Sequence, residues 1–400
     1  MAEIRSTIVA AAASEVGHVR EHNEDNHVVD VDGGVFIVCD GMGGHRAGEI
    51  ASGLAVSVVR EAWRGAAVRE AVAAWGIQGD AAARRALVHA LREGVMRAHL
   101  AIVEAGLSDD DKRGMGTTFT GMVLAAGDAV FAHAGDSRAY LVRDGIAMQL
   151  SEDHTLLARL RAAGVDIGLG GGDESRWRGV LTNALGIGDG TKVASFVLPL
   201  CDGDRILLCT DGVTEYVGEA EIGEILAAAA SPALAARRLI ETALSRGGAD
   251  NATAVVVKVV EAGITRLPAE QRQRDAAAVA SCRLFAELTV QERLRALRVM
   301  TPREIEAEVT VPAIALGDRV AHLILEGEVE LRRQPRGAGT LIYPTALLSD
   351  TPIPERDDLA AARTELRVLT VRRDDFFELC EEEPDLGVKL FAALAQLVAR

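Results

Sequence analysis

Five acidic residues stand next to apolar runs of strand length, and together they could bind a cation. They are Glu24, Asp40, Asp136, Asp211 and Asp250. A single Asp-Gly pair after a strand usually forms a turn, so each residue alone carries little information. Several carboxylates at the ends of buried strands repel one another, however, unless a cation holds them. Because every donor is an oxygen atom, the set favours magnesium or manganese over zinc.

The elements that must position these carboxylates alternate between short β-branched runs and turn residues. Between 117 and 150, apolar runs are separated by pairs such as Gly135-Asp136. Connections this short join antiparallel strands, so we predict a meander with Asp136 in a hairpin turn. Further strands are predicted at 6–13, 35–39, 192–198, 205–209 and 253–260, and helices at 48–64, 81–105, 156–163 and 232–245. This order predicts an α+β fold in which helices cover antiparallel sheets.

Length and charge narrow the class of protein. The chain has 400 residues and a formal net charge of -16. The length predicts two domains, and the charge argues against nucleic acid or an anionic membrane as a partner. No run of about 18 apolar residues occurs, so we expect no transmembrane helix. The cysteines show no C-x-x-C pair, which argues against a zinc site and favours a cytoplasmic location. They are Cys39, Cys201, Cys209, Cys282 and Cys380.

Seven short motifs occur in a fixed order along residues 5–260. They are REHNED at 20–25, DGMGGH at 40–45, GTT at 116–118, AGDSR at 134–138, DH at 153–154, TDG at 210–212 and DNAT at 250–253. The ordered set resembles the metal-dependent protein phosphatase 2C (PPM) family, in particular its bacterial members. The resemblance implies a β-sandwich of two antiparallel sheets flanked by helices, with metal ions at one end of the sandwich.

The resemblance also assigns roles to individual residues. Asp40 would bridge two ions, with the Gly41 carbonyl and Glu24 on the second ion and Asp211 and Asp250 on the first. Asp136, together with Asp211, matches a weaker third metal site. Arg20 matches the residue that binds the substrate phosphate. The implied catalytic residues are therefore Arg20, Asp40 and Asp211.

The implied reaction is hydrolysis of phosphoserine and phosphothreonine in proteins. Two Mn²⁺ or Mg²⁺ ions about 3.5–4 Å apart lower the pKa of a bridging water, and the resulting hydroxide attacks phosphorus in line. The guanidinium of Arg20 would stabilise the equatorial oxygens with a bidentate geometry that lysine does not reproduce. A phosphoprotein is the expected substrate.

Two positions depart from the family pattern. Met42 stands where some eukaryotic members carry a histidine that acts as a general acid, so a water would protonate the leaving group. Asn183 stands where the family more often has arginine, at a structural or substrate-flanking position. We interpret His45 and His154 as structural hydrogen-bonding residues. The glycine-rich segment 164–172 lies where the family has its mobile flap.

Residues 282–400 resemble cyclic-nucleotide-binding domains, which are small β-barrels with flanking helices. The motifs are LFAELT at 284–289, GD at 317–318, LILEGEV at 323–329 and DFFEL at 375–379. The family binds its ligand through a Gly-Glu pair and an arginine. Here Tyr343-Pro344 and Ile353 occupy those positions, and Arg356 is followed by two aspartates. We therefore predict a degenerate domain that binds no cyclic nucleotide and makes a regulatory protein contact.

The sequence predicts a phosphatase domain at 1–262, a linker at 263–281 and a cyclic-nucleotide-binding-like domain at 282–400. Two alternatives remain open at this point. One is a phosphatase regulated by cyclic nucleotides, which the missing ligand-binding residues disfavour. The other is a pseudophosphatase that acts as a binding module, which the intact set of carboxylates disfavours.

Overall fold

The structure is a computed structural model that describes residues 6–43, 47–78, 81–162, 177, 179–188, 190–262, 269–315, 317–348 and 359–399. The chain divides into two units. The first comprises Met1–Gln78 and Ala86–Ile264, and the second comprises Gly79–Arg85 and Thr265–Arg400. No described helix is both long and apolar enough to cross a membrane.

The first unit contains eleven described strands in two antiparallel sheets. The strands are β1 (Thr7–Glu15), β2 (Asp25–Asp30), β3 (Val35–Met42), β4 (Gly116–Thr117), β5 (Phe119–Ala125), β6 (Asp128–Ala134), β7 (Arg138–Arg143), β8 (Ile146–Gln149), β9 (Ala194–Pro199), β10 (Arg205–Cys209) and β11 (Ala252–Glu261). One sheet has the order β1-β11-β10-β7-β8. The other has the order β2-β3-β5-β6-β9, with β4 paired to β3. Strand β11 contacts β2 and β3, so the two sheets face each other.

Helices cover the outer faces of both sheets. They are α1 (Ala47–Trp63), α2 (Ala66–Gln78), α3 (Ala81–Ser108), α4 (Leu156–Ala162), α5 (Asp211–Thr214), α6 (Glu219–Ala228) and α7 (Pro232–Ser245). Strand β3 is apolar on both faces, since one face meets the other sheet and one meets helices. Helix α7 begins at the Ser231 cap followed by Pro232, and it buries one stripe that includes Leu239 and Ala243. The predicted α+β class with two antiparallel sheets is confirmed.

The predicted meander is wrong at one connection. Strands β5 and β6 pair, and so do β7 and β8, but β6 pairs with β5 and β9 while β7 pairs with β8 and β10. The Gly135-Asp136 turn therefore crosses from one sheet to the other and is not a hairpin. A short connection requires only that two strands end close together, and facing sheets meet that requirement as well as neighbouring strands do.

The second unit has open sheets in place of the predicted small barrel. Its described elements are α8 (Ala269–Ser281), α9 (Val290–Leu297), β12 (Met300–Ile305), β13 (Ile314–Ala315), β14 (Asp318–Glu326), β15 (Val329–Leu331), β16 (Gln334–Arg336), β17 (Leu341–Ile342), β18 (Ala361–Ala362), β19 (Leu366–Arg372), α10 (Arg373–Glu382) and α11 (Pro384–Val398). One sheet has the order β12-β19-β14-β13 with β17 on β14, and the other has the order β16-β15-β18. In the described part of the chain neither sheet closes, because the terminal strands lack a second partner.

Candidate metal centre

The first two carboxylates lie on adjacent strands at one end of a sheet. Asp40 is near the end of β3 and stands opposite Asp25 at the start of β2. Glu24 precedes β2, and its backbone carbonyl accepts the N–H of Gly41 at 3.2 Å. Antiparallel pairing thus places the predicted ligands Glu24, Asp40 and Gly41 side by side.

The Asp211 and Asp250 loops meet at the corresponding end of the other sheet. Asp211 opens α5 directly after β10, and Asp250 comes two residues before β11. Strands β10 and β11 are paired neighbours. A Cβ atom added at Gly212 would lie 2.0 Å from the carbonyl oxygen of Asn251, so the two loops approach closely enough to require glycine.

Asn251 ties this loop to the segment before β2. Its Oδ1 accepts the N–H of Glu24 at 2.8 Å, and its Nδ2 donates to the carbonyls of Val16 and His22, each at 2.9 Å. The side chain is buried, and the bond to Glu24 is fully shielded from water while the other two are partly shielded. This amide therefore holds Glu24 and Asp250 in one neighbourhood although they lie far apart in sequence.

Asp40 is held through its backbone. Its N–H donates to Thr118 Oγ1 at 2.9 Å, and its carbonyl accepts from Thr118 N and Thr117 Oγ1, each at 2.9 Å. These bonds use only the backbone of Asp40, and its carboxyl group shares a hydrogen bond with the carboxyl group of Asp211. Met42, the first departure from the family pattern, follows two residues later in β3.

Asp25 belongs to the site, although the sequence analysis did not include it among the ligands. Its Oδ2 accepts hydrogen bonds from Thr210 Oγ1 at 2.9 Å and Thr253 Oγ1 at 2.7 Å, and its Oδ1 has no partner. Burial, opposed by these two bonds and reinforced by Asp211 and Asp250, raises the pKa of Asp25 to about 7. The signal was present in the sequence as one threonine directly before Asp211 and another three residues after Asp250.

The carboxylates of the cluster repel one another. Burial, followed by the charges of Asp25, Asp211 and Asp136, raises the pKa of Asp40 well above its usual range. Burial and the charges of Asp211 and Asp153 raise the pKa of Asp136 to about 7. Burial also raises the pKa of Asp211 and of Glu24. These shifts mark a site in which the fully ionised form needs added positive charge.

The donor set fits divalent cations that prefer oxygen. Buried oxygens without a hydrogen-bond partner occur on Glu24, Asp25 and Asp211. All the donors are carboxylate or carbonyl oxygens, as Mg²⁺ and Mn²⁺ prefer. Among the described residues, no three His, Cys, Asp or Glu side chains stand in a preformed metal-binding arrangement. The fit therefore depends on the unpartnered oxygens and the donor chemistry.

Arg20 lies at the rim of the cluster. Its Nη2 donates to Asp250 Oδ2 at 2.7 Å, and its Nη1 is 4.0 Å from Glu24 Oε2. The side chain is 48% exposed, so the guanidinium is accessible to a ligand from solvent. The bond to Asp250 and the nearby carboxylates raise the pKa of Arg20 above its ordinary value, and the group stays charged.

His154 and Asn183 lie beside the Asp136 turn, where both are hydrogen-bonded. The structural interpretation of His154 is consistent with these bonds. His45 and the glycine-rich segment 164–172 fall outside the described residues, as do Ile353 and Arg356 of the C-terminal region.

The part of the chain that carries the cluster is similar to known proteins. The sequence profile of the protein phosphatase 2C family matches residues 10–252. The serine/threonine phosphatase stp of Listeria monocytogenes is 36% identical over 254 residues, covering 60% of this chain and 92% of that protein. The Mycobacterium tuberculosis phosphatase PstP/Ppp shares the fold with a TM-score of 0.52 at 31% identity, covering 63% of this chain and 98% of the other. The PstP catalytic domain in complex with two manganese ions gives a TM-score of 0.51 at 34% identity, covering 64% and 99%.

The raised pKa of Asp25 predicts how metal-free stability depends on pH. The unfolded carboxyl has a pKa near 4, whereas the folded one titrates near 7. Folding therefore takes up a proton between about pH 4 and about pH 7, and this contribution to stability falls as pH rises through that window. We expect the free energy of unfolding, measured by urea unfolding in EDTA, to fall as the pH rises from about 4 to about 7. The fall should be on the order of 2 kcal/mol larger for the wild type than for Asp25→Asn. Equal slopes for the two proteins would contradict the assignment.

Proposed function

The chain belongs to the protein phosphatase 2C family and is a protein serine/threonine phosphatase, and from that premise we propose a mechanism. It hydrolyses phosphoserine and phosphothreonine in proteins with the help of two manganese or magnesium ions held by the carboxylate cluster. The observation that carries the proposal is the convergence of Asp25, Asp40 and Asp211, whose pKa values are all raised. Unpartnered buried oxygens on Glu24, Asp25 and Asp211 support it. The relative PstP was solved with two manganese ions, which supports the same cofactor here.

The ligand assignment follows from where the strands end. Glu24, Asp40 and the Gly41 carbonyl come from the β2–β3 pair and would hold one ion. Asp211 and Asp250 come from the β10–β11 pair and would hold the other, with Asp40 shared between them. Asp136, on the crossover turn, would hold a third ion together with Asp211. When bound, such ions supply a nucleophilic water at neutral pH and offset the charge of the phosphate.

Arg20 would bind the phosphate of the substrate. It is half-exposed, permanently charged and adjacent to Asp250, so a phosphate that approaches the ions meets its guanidinium. Two parallel N–H donors match two phosphate oxygens, and their contribution grows as charge builds up on those oxygens. Met42 carries no proton to donate, so a solvent water would protonate the departing alkoxide.

We propose a regulatory or protein-binding role, without a cyclic nucleotide, for the second unit. The side chain of Tyr343 fills the interior of this unit between Val311 and Ala360. Its hydroxyl donates to the Val311 carbonyl at 3.0 Å and accepts the Ala360 N–H at 2.7 Å. A ligand in this interior would have to displace a buried tyrosine and break both bonds.

A cytoplasmic location also remains our proposal, supported by five buried cysteines that are all free.

The ligand assignment predicts the effect of neutralising one carboxylate. Asp211→Asn keeps the side-chain volume and removes the charge that offsets the cations. We expect manganese-dependent turnover of an aryl phosphate to fall at least a hundredfold, about 2.7 kcal/mol in barrier, with an unchanged circular dichroism spectrum. Asp40→Asn should behave alike, whereas Asp32→Asn, at an exposed turn, should retain activity. Activity within threefold of wild type in both site variants would remove the assignment, and an inactive wild type would favour the pseudophosphatase.

The placement of Arg20 predicts a loss in transition-state binding. For Arg20→Ala, we expect kcat/KM on a phosphopeptide to fall by an amount that corresponds to a loss of about 2–4 kcal/mol in transition-state stabilisation. Arg246→Ala is the matched control, because Arg246 is also about half-exposed and also pairs with a carboxylate, Glu221, in addition to donating to the Tyr216 carbonyl. Manganese affinity should be measured for each variant, since Arg20 also contacts Asp250. An unchanged kcat/KM at saturating manganese would exclude Arg20 from phosphate binding.

The filled interior around Tyr343 predicts the outcome of ligand titration. Isothermal titration of the full-length protein with cyclic AMP and cyclic GMP should show no saturable binding at micromolar concentrations. A dissociation constant below about 10 μM, roughly 7 kcal/mol of binding free energy, would contradict this and support the alternative of a phosphatase regulated by cyclic nucleotides.

A further inference from the structure

The Gly135-Asp136 turn needs support from outside the sheets. It connects β6 to β7 across the two sheets, so no ladder hydrogen bonds between those strands hold it, as they would in a hairpin. Gly135 has a φ of +115°, and a Cβ atom there would lie 2.7 Å from Thr118 Cβ. The adjacent Ser137 hydroxyl is 2.7 Å from Thr118 Oγ1. On that side the turn rests on the threonine that also binds the backbone of Asp40.

On the other side, His154 binds both backbone groups of Gly135. The N–H of His154 donates to the Gly135 carbonyl at 2.8 Å, and the N–H of Gly135 donates to His154 Nδ1 at 3.1 Å. The imidazole also packs at 4.8 Å from the ring of the buried His133. Any displacement of the His154 ring therefore moves the residue that directly precedes Asp136.

Asn183 fixes the His154 ring, and its own orientation is unambiguous. Its Oδ1 accepts from Thr191 Oγ1 at 2.9 Å and from the N–H of Lys192 at 3.0 Å. Its Nδ2 donates to the Lys192 carbonyl at 2.7 Å and faces His154 Nδ1 at 2.9 Å. Since the oxygen must face the Lys192 N–H, the amino group must face the histidine. All four hydrogen-bonding positions of the carboxamide are in use.

We propose that Asn183 is a positioning residue of the metal centre: through His154 it holds the Gly135-Asp136 turn and so sets the affinity of the ion that Asp136 binds. This inference rests on the proposed function, because it takes Asp136 as a metal ligand. It also gives the departure from the family's arginine a role. An arginine has no acceptor for Thr191 and the Lys192 N–H, whereas asparagine satisfies both and still donates to His154.

The change from Asn183 to aspartate tests the proposal with minimal change in shape. The new oxygen would repel the Lys192 carbonyl, and it could bind His154 Nδ1 only if that nitrogen carried a proton, in which case Nδ1 could no longer accept the Gly135 N–H. The added negative charge alone would strengthen cation binding, since it lies near the cluster. Asn183→Ala removes the same contacts without adding charge, so a weakened Mn²⁺ affinity shared by both variants can be ascribed to lost positioning and not to charge.

The experiment is an equilibrium titration of the full-length protein with Mn²⁺, in which free Mn²⁺ is counted by electron paramagnetic resonance. Asp136→Asn identifies the ion that depends on Asp136. In Asn183→Asp we expect the dissociation constant of that ion to rise about tenfold, with the other ions changed less than twofold. In the Asp136→Asn background, Asn183→Asp should produce no further change, because the two residues act on one ion.

Gly190→Asp is the matched control. It adds the same charge to the same exposed segment, a Cβ atom there meets nothing within 4 Å, and the network around His154 is untouched. It should bind all ions at least as tightly as the wild type. Asn183→Ala serves as a second variant should the aspartate variant not fold, and it should weaken the same ion in the same direction. Melting curves in EDTA report folding for each protein.

Three outcomes would overturn the inference while leaving the proposed function in place. They are an unchanged affinity in folded Asn183 variants, an equal loss for every ion, and an Asp136→Asn variant that binds as many ions as the wild type. A wild type that binds no Mn²⁺ would instead refute the proposed function, and this inference with it.

Discussion

Electrostatic repulsion among buried carboxylates is the constraint around which the first unit is organised. Asp25, Asp40 and Asp211 come from different strand ends; the charge of Asp211 raises the pKa of Asp25, and the charges of both raise the pKa of Asp40. Bringing such groups together in a poorly solvated space is unfavourable unless the scaffold holds them and a cation compensates the charge. The sheets provide the rigid part of that scaffold, since β2–β3 and β10–β11 are paired neighbours with fully buried cores. Loops alone would relax by moving the carboxylates apart.

Much of this arrangement could be predicted from the sequence. Continuous apolar runs such as 35–39 and 205–209 mark strands that are buried on both faces, and the structure has strands at those places. Helix α2 was missed because its alanines make the buried positions Val68 and Trp75 hard to distinguish from the exposed ones. Strand β2 was not predicted as an element because four of its six residues are polar. Asp25 was missed with it, since its role depends on threonines from two distant strands.

The connection at Gly135-Asp136 shows why local spacing does not determine topology. A two-residue turn gives the distance between two strand ends but does not say whether those ends belong to one sheet or to two. Each strand pairs with its neighbour in sequence, β5 or β8, but the second partners, β9 for β6 and β10 for β7, lie about 60 to 70 residues further along the chain. In the same way, the apolar runs of the C-terminal region predict strands at 323–331 and 366–371. The structure has β14 and β15 at the first place and β19 at the second, but the runs could not show whether these strands close a barrel.

The chemistry of the supporting residues explains how the cluster can keep its negative charge. Apart from Arg20, which pairs with Asp250 at the rim, the groups that hold the ligand-bearing loops are neutral. They are Thr117 and Thr118 at Asp40, Asn251 at Glu24, and Asn183 with His154 at the Asp136 turn. Arg138 lies nearby, but its guanidinium forms a bidentate pair with Asp153 and is largely neutralised there. A lysine or arginine at the supporting positions would fix the carboxylates equally well but would compensate their charge. The electrostatic energy of a bound cation grows with the net negative charge of the groups around it. Neutral donors therefore position the carboxylates without weakening metal binding. This distinction gives a physical reason why asparagine at 183 is compatible with an active site that elsewhere keeps its carboxylates intact.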